Sequence, residues 1–207
     1  MHFISNSNVP KRVFFWWRQG VENAPKIVSD TWALWEYLNP DYEIVYISEE
    51  MIEEVKTAVG PSFNSIPSQA QSDVVRVYFL NKIGGLWIDS GTIPIRPLDS
   101  WLPKLITSNF FAYHDPRSGR AIESWFLVSS PEHPLIKAWY ELIVEYWSEP
   151  KTVQSNKYQL ENSFRGAISR LVGKFTKSQK RKIYTQKDNV WAVDQDGGAQ
   201  FGFFPYF

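Results

Sequence analysis

Apolar and polar positions alternate through the first ninety residues in a way that predicts strands and helices in turn. Short apolar runs at 12–17, 42–47 and 86–88 predict three buried strands. Apolar residues recur at helical spacing over 25–38, and the Asn39-Pro40 pair is expected to end that helix. Strands that alternate with helices are typical of a parallel sheet with crossover helices.

Two further helices are predicted between the second and third strands. Ser48 opens a short acidic helix that is expected to end near Gly60. Ser68 and Gln71 have the spacing of a capping box, which predicts a helix that begins at Ser68 and continues to Ile83. The third strand then follows this helix almost at once.

The pattern is looser in the second half of the chain. Strands are predicted at 110–113 and 122–128 with a polar turn between them, and Pro134 is well suited to begin a helix that ends at Pro150. A later helix and two short strands are predicted at 156–175, 182–184 and 190–193. No repeat or low-complexity linker divides the chain, so we expect a single domain.

Composition narrows the class of protein. The chain is 43% hydrophobic and 21% charged, which favours a folded domain over a disordered one. Its 22 basic residues equal its 22 acidic residues, so no net charge favours nucleic acid as a partner. The absence of cysteine excludes disulfides and thiolate metal sites. With neither a membrane-length apolar run nor a signal-peptide core, we expect a soluble cytoplasmic protein.

Asp89 is the first candidate for chemistry. It follows the buried strand at 86–88, and ligands of open α/β sheets bind outside the carboxyl ends of the strands. A carboxylate there suits Mg²⁺ or Mn²⁺ that bridges diphosphate oxygens. Ser90 and Gly91 supply no second acid, although Gly91 lets a backbone approach a ligand closely.

Asp73 and Arg76 are three residues apart and share one face of the predicted helix. One interpretation is a surface ion pair of little consequence for stability. The other is a ligand-binding pair, in which the carboxylate holds ribose or base hydroxyls and the guanidinium holds a diphosphate. The spacing alone does not separate these two interpretations.

The sequence leaves both a functional and a purely structural interpretation open for three more groups of residues. Asp115, beside His114, is either a general base or metal ligand at a strand end or part of a plain turn. Glu123 either serves an acceptor sugar or is ordinary edge-strand polarity. Asp194 and Asp196 either complete a metal site or form a solvated acidic turn.

Several motifs together resemble a known family. The sequence FWWRQG at 15–20, followed by Ala-Pro at 24–25, resembles the opening of the capsular-polysaccharide-synthesis glycosyltransferases. SDVVR at 72–76 and GGLWID at 84–89 resemble the core signature of that family and of related sugar transferases with a DXD motif, including the clostridial toxin type.

The resemblance extends into the second half of the chain. WFL at 125–127 and EHPL at 132–135 are similar to a later strand and a helix that begins His-Pro, and the match covers about 13–147. The chain also looks similar to the amino-terminal glycosyltransferase domains of larger chlorella-virus proteins. Further domains of a longer chain, and a host-cytoplasmic location if the protein is viral, are therefore expected.

The resemblance implies a GT-A-like single domain over 1–207, with a nucleotide-binding half at about 1–98 and an acceptor half at about 99–207. It implies an α/β fold with a mostly parallel central sheet flanked by helices, and a smaller acceptor-side sheet. Asp89 would be the first acid of the DXD motif, and Gly91 replaces the last one. A Mn²⁺ or Mg²⁺ cofactor is still expected.

Each candidate residue is expected to have a role, and the resemblance itself implies those of Asp73, Arg76 and Asp89. Residues that would bind the donor are Trp16, Trp17, Gln19, Asp73, Arg76, Asp89 and Ser90. His114 and Trp125 would bind the acceptor, and Asp115 or Glu123 would be the catalytic base of an inverting reaction. Asp194 and Asp196 would join Asp89 at the metal.

These assignments predict an enzyme that moves a hexosyl or deoxyhexosyl group from a nucleoside-diphosphate sugar to a glycan hydroxyl, with a UDP-sugar favoured. The donor and a glycan acceptor are then the expected partners, without nucleic acid or a membrane span. The alternative is a non-catalytic module that binds nucleotide or glycan, which the missing acid at Gly91 favours.

Overall fold

Five strands form one sheet in the computed structural model, which describes residues 2–113 and 122–147. The strands are β1 (Arg12–Phe15), β2 (Glu43–Tyr46), β3 (Gly85–Ile88), β4 (Phe110–Ala112) and β5 (Phe126–Ser129). Their order is β2-β1-β3-β5-β4. β1 pairs in parallel with β2 and β3, whereas β5 runs antiparallel to β3 and β4. Four strands therefore point one way and β5 points the other.

Five α-helices accompany the sheet in the described part of the chain. They are α1 (Lys26–Leu38), α2 (Glu49–Val59), α3 (Ser68–Ile83), α4 (Leu102–Leu105) and α5 (Pro134–Trp147). Short 3₁₀ helices occupy Val21–Asn23, Pro61–Ser65 and Leu98–Ser100. None of the helices within 2–113 and 122–147 combines the length and apolar character needed to cross a bilayer.

Alternate strand residues enter two separate cores, because successive side chains of a strand point to opposite faces. Phe14, Trp87 and Leu127 pack with α2, α3 and α5, whereas Phe15 and Leu86 pack with α1 and α4. Both faces of the sheet are covered, which explains why these strands are continuous apolar runs in the sequence.

The predicted order of strands and helices is confirmed from β1 to β3, with boundaries within two residues of those expected. The mostly parallel sheet flanked by helices is also confirmed. The expected smaller second sheet is wrong for the described strands, because β5 pairs with β3 along its whole length, from Gly85–Ser129 to Ile88–Phe126. β4 and β5 therefore extend the central sheet.

Two local predictions are wrong. Ser68 is the first residue of α3 rather than its cap, since Pro67 precedes it and no side chain caps this end. Gln71 points inward instead, 4% exposed, and its Nε2 donates to the Phe63 carbonyl at 3.2 Å. The strand expected from residue 122 begins at Phe126.

Some predictions fall outside the described residues. These are the turn at 114–120, the end of α5 at Pro150, and the elements at 156–175, 182–184 and 190–193. The division into a nucleotide-binding half and an acceptor half stays a prediction.

Two glycines are required where α3 turns directly into β3. Gly85 has φ +125°, and a Cβ there would lie 2.7 Å from the backbone oxygen of Arg12. Gly84 has φ +66°, and a Cβ there would lie 2.5 Å from Cδ of Pro131. Because real Cβ contacts are longer and these φ values favour glycine, the turn accepts no larger residue without backbone movement. The tight turn holds the first half of α3 beside the carboxyl end of β3.

His133 stands directly before Pro134, the first residue of α5, and caps the helix. Its Nδ1 accepts a hydrogen bond from the backbone nitrogen of Leu135 at 3.3 Å, which satisfies a free donor of the first helical turn. Its ring stacks on Phe110, with centroids 5.2 Å apart. Burial lowers the pKa of His133 to about 4, although a hydrogen bond to the backbone of Ser108 acts to raise it. The imidazole is therefore neutral at neutral pH.

We predict that His133 makes the fold sensitive to mild acid. Its pKa of about 4 in the folded chain lies below the ordinary value of 6.5, so the unfolded chain takes up the proton first. The stability contributed by neutral His133 is complete above about pH 6.5 and is lost as the pH falls toward 4, by about 3 kcal/mol. Urea unfolding of the wild type and of His133→Asn between pH 4 and 7 measures this difference. Parallel pH profiles for the two proteins would contradict the prediction.

Candidate functional site

The carboxyl ends of β1 and β3 lie side by side where the sheet changes direction. The chain goes from β1 outward to β2 and then returns past β1 to β3, and ligands bind in the crevice at such a switch point. Trp16 and Ser90 lie just beyond the two strand ends, where the Ser90 hydroxyl donates to the Trp16 carbonyl at 2.9 Å. The two signature segments of the sequence therefore meet at one place.

β5 brings a third segment to the same edge of the sheet. The Asp89 backbone nitrogen donates to the Trp125 carbonyl at 2.8 Å, and the Glu123 nitrogen donates to the Tyr113 carbonyl at 2.7 Å. The rings of Tyr113 and Trp125 stack with centroids 5.0 Å apart. The expected acceptor residue Trp125 and the expected base Glu123 thus lie on the same edge as Asp89.

Arg76 lies between two carboxylates. Its Nη1 donates to Oδ1 of Asp73 at 2.6 Å, and its Nη2 donates to Oδ1 of Asp89 at 2.8 Å. The Arg76 side chain is only 3% exposed, so the interpretation as a surface ion pair is wrong. A buried guanidinium is tolerated because carboxylates on both sides compensate its charge.

Trp87 is the second side chain that holds the Asp89 carboxylate. Its indole Nε1 donates to Oδ1 of Asp89 at 2.8 Å, and its ring centroid lies 5.3 Å from the Arg76 guanidinium. Both donors bind Oδ1, and Oδ2 of Asp89 accepts no hydrogen bond from the residues that the structure describes. The carboxylate is therefore oriented with one oxygen held and the other available to a ligand.

The charge state of Asp73 depends on Arg76. Burial raises the pKa of Asp73, the positive charge of Arg76 lowers it, and the nearby carboxylate of Asp89 raises it further. Removing Arg76 would leave two carboxylates close together without a counter-charge. The guanidinium opposes the effect of burial, which nevertheless keeps the pKa of Asp73 above its usual value.

Gly91 stands where a DXD motif would have its second acid. It lies in an exposed turn closed by a hydrogen bond from the Thr92 nitrogen to the Asp89 carbonyl at 2.9 Å. Its φ is not positive, so the backbone also accepts residues with a side chain.

A cation at this site would have few protein ligands. No group of three or more acidic, histidine or cysteine side chains suited to a metal occurs within residues 2–113 and 122–147. The free oxygen of Asp89 fits an ion such as Mg²⁺, which binds through one or two carboxylates together with phosphates and water. Asp194 and Asp196 lie outside the described residues, as do His114 and Asp115.

The remaining expected donor residues differ in exposure. Trp16 is half-buried against the core of α2, α3 and α5, and Trp17 is half-buried against the opposite core. Gln19 is exposed, and its carbonyl accepts a hydrogen bond from Asn23 at 2.7 Å. These residues surround the end of β1, next to Ser90.

Two residues that the sequence reasoning missed lie beside this edge. Arg18 is exposed, and its Nε donates to Oε1 of the buried Gln71 at 2.9 Å. Arg18 lies inside the motif at 15–20, but an arginine in a loop carries no periodic signal. The signal that could have found this pair is Gln71 itself, a polar residue on the buried face of a helix.

Comparisons with known proteins agree with this fold. The fold is GT-A-like: it matches the solved structure of the PaToxG glycosyltransferase with a TM-score of 0.56, 13% identity, and coverage of 89% of this chain and 87% of that one. The chain belongs to the capsular polysaccharide synthesis protein family, whose model matches residues 2–202. The family expected from the motifs is therefore confirmed.

Two curated fungal proteins are similar in sequence. "Putative glycosyltransferase HOC1" of Saccharomyces cerevisiae is 21% identical over an aligned length of 187 residues, and the match covers 78% of this chain and 46% of that protein. The initiation-specific alpha-1,6-mannosyltransferase of Candida albicans is 24% identical over an aligned length of 160 residues, and the match covers 72% of this chain and 39% of that protein. The chain thus spans less than half the length of these relatives.

We predict that Arg76 stabilises the fold by compensating two carboxylates. Arg76→Met should lower the free energy of unfolding at pH 7 by about 3 kcal/mol, since it leaves Asp73 and Asp89 close together with no counter-charge. Adding Asp73→Asn should recover part of that loss, because only one carboxylate then remains. Urea unfolding of the wild type, both single variants and the double variant measures the coupling. Strictly additive losses would contradict it.

Proposed function

We propose that the protein transfers a hexosyl or deoxyhexosyl group from a nucleoside-diphosphate sugar, with a UDP-sugar favoured, to a hydroxyl of a glycan. The observation that carries the proposal is Asp89, which lies at the switch point with one oxygen held by Arg76 and Trp87 and the other available. Membership of the capsular polysaccharide synthesis family supports it, as do the names of the matched relatives.

The chemistry follows from where charge develops. The bond between the sugar C1 and the diphosphate oxygen breaks as the acceptor hydroxyl attacks, and the sugar passes through a state that resembles an oxocarbenium ion. The departing diphosphate gains negative charge, so a nearby cation lowers the barrier. Mn²⁺ or Mg²⁺ held by the free oxygen of Asp89 would supply that charge.

The acceptor side has one described candidate for a base. Glu123 lies on the same sheet edge as Asp89, two residues before the half-buried Trp125. In an inverting reaction, Glu123 would take the proton of the acceptor hydroxyl while Trp125 contacts the apolar face of a sugar ring. Asp115 stays a proposed alternative for the catalytic base. His114 stays a proposed acceptor-binding residue, and Asp194 and Asp196 stay proposed metal ligands. A cytoplasmic location also stays a prediction.

A second candidate function is supported by Gly91. Because the second acid of DXD is missing, a module that binds nucleotide or glycan without transfer is the competing function. Affinity for UDP that is independent of Mn²⁺, without any donor turnover, would favour this module over the enzyme.

We predict that Asp89→Asn lowers donor turnover by roughly 100-fold or more, because the leaving group loses the ligand of its cation. Hydrolysis of UDP-glucose, GDP-mannose and a rhamnose donor in Mn²⁺ measures the activity. Asp30→Asn is the matched control, since Asp30 is an exposed acid paired with Lys26 on α1. Undiminished turnover in Asp89→Asn, or an equal loss in both variants, would rule out the role of Asp89.

Gly91→Asp supplies a second, complementary test of the metal site. The φ of Gly91 is not positive, so its backbone accepts aspartate, and the new carboxylate should strengthen Mn²⁺ binding on the order of tenfold. Calorimetry with Mn²⁺ in the presence of UDP measures the affinity. Unchanged affinity in a normally folded Gly91→Asp would place the cation elsewhere.

A further inference from the structure

Arg76 is poorly placed to contact a ligand directly. Both of its terminal nitrogens are bonded to carboxylates, at 2.6 and 2.8 Å, and its side chain is 3% exposed. The third nitrogen, Nε, is buried without a hydrogen-bond partner among the described residues. A diphosphate could reach this guanidinium only by displacing Asp73 or Asp89. An exposed cationic side chain elsewhere at the site is therefore the better candidate to contact the donor.

Arg18 meets the requirements that Arg76 does not. It is exposed, and among the described residues it is bonded only through Nε, to Oε1 of Gln71 at 2.9 Å. Its two terminal nitrogens make no hydrogen bond with the described residues. An arginine held at Nε keeps its outer fork free, and that fork matches pairs of phosphate oxygens.

Gln71 is built to hold Arg18 in one orientation. Its amide is 4% exposed, and its Nε2 donates to the Phe63 carbonyl at 3.2 Å while its Oε1 accepts from Arg18. Both ends of the amide therefore have a partner, which fixes the oxygen toward Arg18. A buried glutamine that orients an exposed arginine lowers the entropy lost when a ligand binds.

The position of Arg18 also fits. It lies three residues beyond β1, the strand beside β3, and the Ser90 hydroxyl bonds to the Trp16 carbonyl between the two loops. Within the described segments 16–20, 89–92 and 122–125 around this crevice, Arg18 is the one basic residue. Arg18 bonds to Gln71 of α3, and Asp89 bonds to Arg76 of the same helix. Gln71 and Arg76 are five residues apart, which corresponds to about 7.5 Å along the helix axis.

We infer that Arg18 is the residue that binds the diphosphate of the donor, with Gln71 as its positioning residue and Arg76 as the positioning residue of Asp89. The diphosphate would lie between Arg18 on one side and a cation at Asp89 on the other. This assignment rests on the proposed function, because it names the side chain that holds the leaving group of that reaction.

Binding measurements test Arg18 without requiring an acceptor. Calorimetry with UDP and GDP in Mn²⁺ should show affinity roughly 10- to 100-fold weaker for Arg18→Gln than for the wild type. Displacement measurements with uridine and guanosine, which lack phosphates, should give equal affinities for the two proteins. Arg12→Gln is the matched control, since Arg12 is at the opposite end of β1 in an ion pair with Glu43. It should bind diphosphates like the wild type.

The positioning role of Gln71 is tested separately, by UDP binding with and without Arg18. Gln71→Leu should weaken UDP binding when Arg18 is present. In the Arg18→Gln background the same substitution should cause little further loss of affinity, because its effect passes through Arg18. A merely structural role of Gln71 would instead weaken UDP binding equally in both backgrounds.

The outcomes separate this inference from the proposed function. Diphosphate affinity that is unchanged in Arg18→Gln, with Asp89-dependent turnover intact, would overturn the role of Arg18 alone. An equal loss of nucleoside and diphosphate affinity would also overturn it. A wild-type protein that binds neither UDP nor GDP would overturn the proposed function and this assignment together.

Discussion

The buried contact between Arg76 and Asp89 is the interaction on which the site depends. It joins the middle of α3 to the residue after β3, and Trp87 completes it by donating to the same carboxylate oxygen. A charge so deep in a protein is unfavourable unless it is paired and hydrogen-bonded. Asp73 provides the second partner, and the result is an acid held in one orientation at the carboxyl edge of the sheet.

That contact is possible only because α3 and β3 are joined with almost no loop. Gly84 and Gly85 have positive φ and approach Pro131 and the Arg12 backbone too closely for any side chain. The glycine pair of the family signature is thus required for packing. It also places Asp89, four residues after Gly85, within reach of Arg76. The two arginines differ in their surroundings: Arg76 is buried between two carboxylates, whereas Arg18 is exposed and held through its Nε by Gln71.

Much of the fold follows from local patterns. Strand and helix alternation from β1 to β3 was predictable within two residues, because periodicity and helix-ending residues are read from neighbours in the sequence. The prediction of a capping box at Ser68 is wrong because Pro67 occupies the N-cap position. Gln71 is buried instead and forms hydrogen bonds with Phe63 and Arg18. Joining β4 and β5 to the central sheet depends on a pairing between distant segments, which no local pattern specifies.

The sequence by itself determined the family, the alternating first half and the position of Asp89 after a buried strand, because each depends on short motifs and on spacing along the chain. Only the tertiary structure decided what Arg76 does. Spacing places Asp73 and Arg76 on one helix face, but burial and the contact with Asp89 arise when β3 packs beside α3. Exposure and hydrogen-bond partners depend on distant residues, so the burial of Arg76 and the exposure of Arg18 appear only in three dimensions.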